Sequence, residues 1–147
     1  KDVNQPLAVN QLQLSAAVTP GFESGFHVNT EDSQAAMRDG SIFEYCKLHD
    51  VVIQAWSVLQ FGYFKGNFVG NEKFQALNQV LDRLAFKYGV TPSTIAISWI
   101  LRYPAKMQAV VGTTNPKHLR EVSQAANFSL TRKEWYEIYL AAGNNLP

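Results

Sequence analysis

The spacing of apolar residues changes several times along the chain, and each change predicts an element. Leu7–Leu14 (L-A-V-N-Q-L-Q-L) opens apolar and ends alternating, which is the pattern of a strand. From Thr19 to Gly40 glycines, polar residues and acids follow with no sustained period, predicting a long loop with one helical turn near Ser33–Met37. Ser41–Asp50 then sets Ile42, Tyr45, Cys46 and His49 along one helical face, with Asp39 or Ser41 as the cap. Val51–Ser57 (V-V-I-Q-A-W-S) is the clearest strand, apolar almost throughout, as expected of a parallel strand covered on both faces.

Beyond the aromatic and glycine-rich segment Val58–Gly70 the period becomes helical. Phe74, Leu77, Leu81, Leu84, Ala85 and Tyr88 recur at steps of three and four, with Asn71 as a cap and Gly89 as a stop. Thr91 caps a second helix, Pro92 takes its first position, and Ile95, Ala96, Trp99, Ile100 and Tyr103 form an apolar face before Pro104. Both stripes read as core. Met107–Val111 is the last strand, followed by a helix over Pro116–Ala126. Thr131-Arg132-Lys133-Glu134 is a capping box that opens a final helix containing Trp135, Ile138, Tyr139 and Ala142, so Glu134 is expected to answer a backbone N–H rather than to act as an acid.

Strands alternating with helices argue for a parallel sheet with helices outside. Three parallel strands would leave two apolar edges open, which proteins rarely tolerate, so the pattern implies part of a larger sheet. The chain starts at Lys1 without a methionine and reaches a strand-like run almost at once, which reads as a processed product or a piece of something longer.

Composition narrows the class. The 147 residues are 46% hydrophobic and 17% charged, with 13 Lys+Arg against 12 Asp+Glu, the balance of an ordinary globular domain with no electrostatic footprint for nucleic acid or anionic lipid. No apolar run approaches the ~18–20 residues that span a bilayer, and the first residues do not form a signal peptide. The single cysteine, Cys46, excludes an internal disulfide and fits a reducing compartment, so a cytoplasmic location is expected. Cys46 and His49 lie three apart, but with no other Cys or His clustered nearby a packing role outweighs a metal site.

The stretch with the most chemistry is Val110–His118 (V-V-G-T-T-N-P-K-H), a strand running through a glycine turn into Asn115-Pro116, a cap and a first helical position. Such a helix start gathers unpaired N–H groups and suits a phosphate. Trp56 and Ser57 end a strand, where an indole closes a core or, in α/β folds, faces a ligand. Asn10-Gln11 reads either as a pair of core amides bonded to backbone or as a carboxamide presented to a ligand.

Ala55-Trp56-Ser57, Gly112-Thr113-Thr114-Asn115-Pro116 and Leu130-Thr131-Arg132-Lys133-Glu134-Trp135-Tyr136, with Val9-Asn10-Gln11-Leu12 before them, resemble in order and spacing the last third of bacterial aldo-keto reductases. The resemblance covers nearly the whole chain. It implies a single partial domain over residues 1–147, corresponding to about strands six to eight of a (β/α)8 TIM barrel with their helices. It also implies an oxidoreductase that reduces aldehydes or ketones with a nicotinamide dinucleotide. Gln11 would meet the nicotinamide amide and Trp56 would stack on its ring. Ser57, Leu59 and the backbone near Gly62 would line the pyrophosphate. Gly112 would make the turn, with Thr113, Thr114, Lys117, His118 and Glu121 at the adenosine end. Lys117 or His118 beside a 2′-phosphate favours NADP(H) over NAD(H), although Lys117 also reads as a solvated side chain. The sequence departs from the family at Val58, where relatives commonly have proline, and at His118, where many carry arginine.

The family's proton-donating tyrosine and its lysine, aspartate and histidine companions lie on strands before the sixth. Tyr45, Tyr63, Tyr88, Tyr103, Tyr136 and Tyr139 match none of those motifs, so no catalytic residue is assigned and the segment alone is expected to be inert. The expected partners are the dinucleotide, a small carbonyl substrate and the remaining barrel strands. The alternative is an autonomous half-barrel that binds nucleotide or pairs its open edges with another copy; a piece resembling a channel β-subunit of the same superfamily is a weaker one.

Overall fold

A computed structural model describes residues 5–19, 41–62 and 65–146. Its three strands, β1 (Val9–Gln13), β2 (Val52–Trp56) and β3 (Met107–Ala109), form one parallel sheet in chain order. Register sets Gln11 beside Gln54 and Gln13 beside Trp56, while Gln54 stands beside Gln108 and Ala55 beside Ala109. All three strands are shorter than the apolar runs that predict them. Pairing still extends past β3, since the Val110 amide donates to the Ala55 carbonyl at 2.8 Å.

Among the described residues five α-helices accompany the sheet: α1 (Ser41–Leu48), α2 (Gln75–Tyr88), α3 (Pro92–Leu101), α4 (Pro116–Ser123) and α5 (Arg132–Ala141). Alternation decides which sheet face they cover. Ile53 and Ala55 of β2 are fully buried on the helical side, whereas Val52, Gln54 and Trp56 are half-buried on the other. The Asn10 amide, 3.8 Å from the Cys46 sulfur of α1, puts Asn10 on the helical side, so Gln11 belongs to the open face.

Local signals place the helix starts. Asn115 and Thr91 each accept a backbone N–H two or three residues on, from Lys117 and Thr94, and a proline follows each cap. Asn71 caps a 3-10 turn, Glu72–Phe74, that leads into α2, and Gly89 ends α2 at φ 67°, a left-handed position that suits glycine. Helix α3 differs from expectation. Rather than one apolar face it is buried all round from Thr94 to Ile100, because it lies between β3, α2 and α4.

The expected face of α1 is corrected. Phe43 and Cys46 are the buried pair, while Ile42 and Tyr45 are 48% and 50% exposed and His49 is exposed. Phe43 meets the Tyr103 ring edge-on at 5.4 Å and Cys46 meets Asn10, so the inward stripe is set by partners distant in sequence. Tyr45 and His49 pack on each other outside, at 4.2 Å. The predicted turn at 33–37, the loop over 20–40 and the Asp39 cap lie outside the described residues.

The capping box is formed, and its carboxylate does more than cap. Glu134, 6% exposed, accepts from the Thr131 amide and hydroxyl, each at 2.7 Å, from the Tyr88 hydroxyl at 2.9 Å and from Lys87 at 2.6 Å, which ties α5 to α2. Burial alone would raise this carboxyl. The Lys87 hydrogen bond and then those from Thr131 and Tyr88 outweigh it and hold the pKa at about 2, down from 4.5. A depressed folded-state pKa means that this stabilisation is complete above about pH 4.5 and is lost as pH falls toward 2. The urea midpoint is therefore expected to drop across that window. Glu134→Gln should show a shallower drop and lose about 1–2 kcal/mol at neutral pH.

Candidate functional site

Two loops meet at the carboxyl end of the sheet. The first leaves β2 through Ser57, whose φ of 54° is a left-handed conformation costly for a residue with a Cβ, by about 1–3 kcal/mol. Three hydrogen bonds hold it there. The Gln60 amide donates to the Ser57 carbonyl at 2.9 Å, the Ser57 hydroxyl to Gln60 Oε1 at 3.1 Å, and the fully buried Ser15 hydroxyl to the Gln60 carbonyl at 2.7 Å. Ser15 belongs to the turn after β1, so the ends of two adjacent strands are locked together.

The second loop leaves β3 through Val110, Val111 and Gly112. Thr113 Oγ1 accepts from the Asn115 amide at 3.2 Å, and Asn115 then caps α4. The φ of Gly112 is not left-handed and, among the described residues beyond its chain neighbours, no atom lies within 4 Å of where its Cβ would sit, so packing does not demand glycine there.

Between the loops runs a cleft of about 570 Å³, within the usual range for small-molecule sites. Of the residues singled out in the sequence, Trp56, Ser57, Leu59, Gly112, Thr113, His118 and Glu121 line it. His118, Glu121 and Val122 do so together because steps of three and four share one face of α4. Lys117, Thr114 and Gly62 are not in the lining. Lys117 extends into solvent, 81% exposed, with its nitrogen 3.9 Å from Glu121. Gly62 has φ 146°, and a Cβ there would come within 2.8 Å of the Lys65 side chain. Gln11 lies one side-chain step back from the cleft end of the open face, level with Gln54.

Gln60, Asn67, Thr91 and Ser93 also line the cleft. The sequence marks Thr91 only as a cap. What brings it here is the short link from α2 to α3, which sets the start of α3 beside the cleft. Thr91 and Thr94 hydroxyls lie 2.8 Å apart, and Thr94 donates to the Glu121 carbonyl at 2.9 Å, joining α3 to α4. Gln13, beside Trp56 in register, has a buried amide nitrogen with no hydrogen-bond partner among the described residues.

The lining brings together the Trp56 indole, the hydroxyl residues Ser57, Thr91, Ser93 and Thr113, and His118 and Glu121 of the first turns of α4. A family model described as the aldo/keto reductase family matches residues 27–141. The chain is 29% identical over 137 residues to a 6-dehydroglucose reductase of Agrobacterium fabrum, covering 92% of this chain and 39% of the relative. It is 30% identical over 146 residues to a protein of the same name from Novosphingobium aromaticivorans, covering 99% of this chain and 42% of that one. Among solved structures, an aldo-keto reductase from Klebsiella pneumoniae in complex with NADPH superimposes with a TM-score of 0.61 at 18% identity, over 89% of this chain and 38% of that one. The chain thus spans about two-fifths of the length of the relatives it matches.

Proposed function

Because the chain belongs to the aldo/keto reductase family, we propose that it supplies the cofactor-holding part of a reductase that converts aldehydes or ketones to alcohols with NADP(H). In this reading β1, β2 and β3 are the sixth to eighth strands of a (β/α)8 barrel, and residues 1–147 are one partial domain of it. The observation that carries the reading is the single cleft shared by Trp56, Ser57, Thr113, His118 and Glu121 at the carboxyl ends of parallel strands, where barrel enzymes bind ligands.

A bound dinucleotide would supply the hydride; the residues of this chain hold and orient it. Trp56 offers a face to the nicotinamide ring and Gln11 a carboxamide to its amide. The Ser57 turn and Leu59, with the backbone near Gly62, receive the pyrophosphate. Gly112 leaves room, and Thr113, His118 and Glu121, which line the cleft, surround the adenosine end, with Thr114 and Lys117 outside the lining beside them. The NADPH complex of the K. pneumoniae protein supports NADP(H) over NAD(H). Of the two candidate partners for a 2′-phosphate, His118 lines the cleft and Lys117 does not, so His118 carries the preference. Loss of one charge-assisted hydrogen bond corresponds to about tenfold in affinity. In calorimetric titration of the full-length protein, His118→Ala is expected to weaken NADP+ by about that factor and leave NAD+ within about twofold. Equal losses for both would remove His118 from this role.

The proton donor lies outside these residues in this reading. The purified 147-residue chain is therefore expected to leave NADPH unoxidised in the presence of a generic aldehyde, whereas the full-length protein consumes it. The names of the two curated relatives make 6-dehydroglucose the first carbonyl to assay. Turnover by the short chain alone would contradict the assignment.

A second reading, a self-associating nucleotide-binding module, draws on the outer edges of β1 and β3, which carry no strand partner among the described residues. Sedimentation of the 147-residue chain separates the two. A monomer without nucleotide affinity rules the module out.

A further inference from the structure

Three glutamines stand side by side across the open face of the sheet, one on each strand. Gln11 pairs in register with Gln54, and Gln54 with Gln108. Their side chains are bonded in sequence. Gln11 Nε2 donates to Gln54 Oε1 at 2.8 Å, and Gln54 Nε2 donates to Gln108 Oε1 at 2.9 Å. A row of amides with one direction polarises along its length, because an amide that gives up an N–H becomes a better acceptor at its oxygen. Gln11 stands at the end of that row, with Nε2 engaged and Oε1 without a partner among the described residues.

Gln54 and Gln108 alternate along their strands with Ile53, Ala55, Met107 and Ala109, which are apolar and belong to or pack against the core on the helical side. A long amide also has several rotatable bonds, and holding one in a single orientation costs rotamer entropy that a ladder offsets. We infer that Gln54 and Gln108 are positioning residues: they fix the Gln11 carboxamide so that its oxygen, rather than its nitrogen, is presented to the N–H of a ligand carboxamide. The inference rests on the reading of Gln11 as the nicotinamide contact, and adds how that contact acquires its direction. Because the ladder acts on the amide alone, it discriminates a nicotinamide from the same ring bearing a ketone.

The test compares NADP+ with its 3-acetylpyridine analogue, which keeps the carbonyl and lacks the amide N–H, by calorimetric titration of the full-length protein. One net hydrogen bond predicts a preference of about fivefold for NADP+. Gln54→Met, similar in length but unable to bond, is expected to bring the preference to within about twofold while 2′,5′-ADP, which occupies only the adenosine end, binds unchanged. Gln54→Glu, which keeps an acceptor for Gln11 Nε2 but has no N–H to give Gln108, should restore it in part. Gln108→Met, on an exposed side chain at the far end, gives an intermediate loss and serves where Gln54→Met fails to fold. If Gln11→Met leaves the preference intact, the reading of Gln11 itself fails. If Gln11→Met abolishes it and neither Gln54→Met nor Gln108→Met lowers it, the ladder alone is overturned. An equal loss of 2′,5′-ADP binding in Gln54→Met also overturns it, since that marks a general structural role.

Discussion

Trp99→Ala is expected to destabilise the fold by about 3–5 kcal/mol, a midpoint shift readily measured by urea denaturation. Trp99 is fully buried in α3, and its ring stacks on Trp135 of α5 at 4.9 Å and 10°. The two indoles also exchange hydrogen bonds. Trp99 Nε1 donates to the Trp135 carbonyl and Trp135 Nε1 to the Trp99 carbonyl, both at 3.0 Å. Truncation thus opens a cavity, removes a stacked pair and leaves a buried carbonyl with one fewer donor. Trp99→Phe separates these effects. It refills most of the volume and still loses the N–H, so a cost of about 1–2 kcal/mol is expected. A cost for Trp99→Ala below about 1 kcal/mol would mean that α5 does not rest on α3 as described.

The largest functional effect is expected at Trp56. Trp56→Ala should weaken NADP+ binding by about tenfold or more, since aromatic stacking on a flat heterocycle contributes about 1–3 kcal/mol. Trp56→Phe should retain most of the affinity. The indole is half-buried at the end of β2, so the fold should lose less here than at Trp99. Titration of both variants in the full-length protein, read beside their thermal midpoints, checks this. Unchanged affinity in Trp56→Ala would contradict the stacking role.

What the sequence discloses depends on how local its cause is. The caps at Thr91, Asn115 and Thr131 are legible because a side-chain oxygen answers an N–H two or three residues away, and a proline or glutamate nearby completes the pattern. The inward face of α1 is not. Ile42 and Tyr45 are as apolar as Phe43 and Cys46, and partners far along the chain, Tyr103 and Asn10 among them, decide between them. The same distinction holds in the site. Trp56, Ser57 and Gly112 are read from strand ends and turns, and they line the cleft. Lys117 and His118 are adjacent in sequence, but 100° of helical rotation sends one to solvent and the other into the cleft. The glutamine ladder needs the register of three strands, which no single run of residues contains.

In the proposed reading the cleft between the β2 and β3 loops holds a nicotinamide dinucleotide in one orientation. The most direct measurement is a crystal structure of the full-length protein with NADP+. The expected result is the nicotinamide ring over Trp56 with its amide at Gln11, the pyrophosphate at the Ser57 turn, and the 2′-phosphate beside His118 at the start of α4. A dinucleotide bound away from this cleft, or lying in it with adenine at Trp56, would contradict the proposed site.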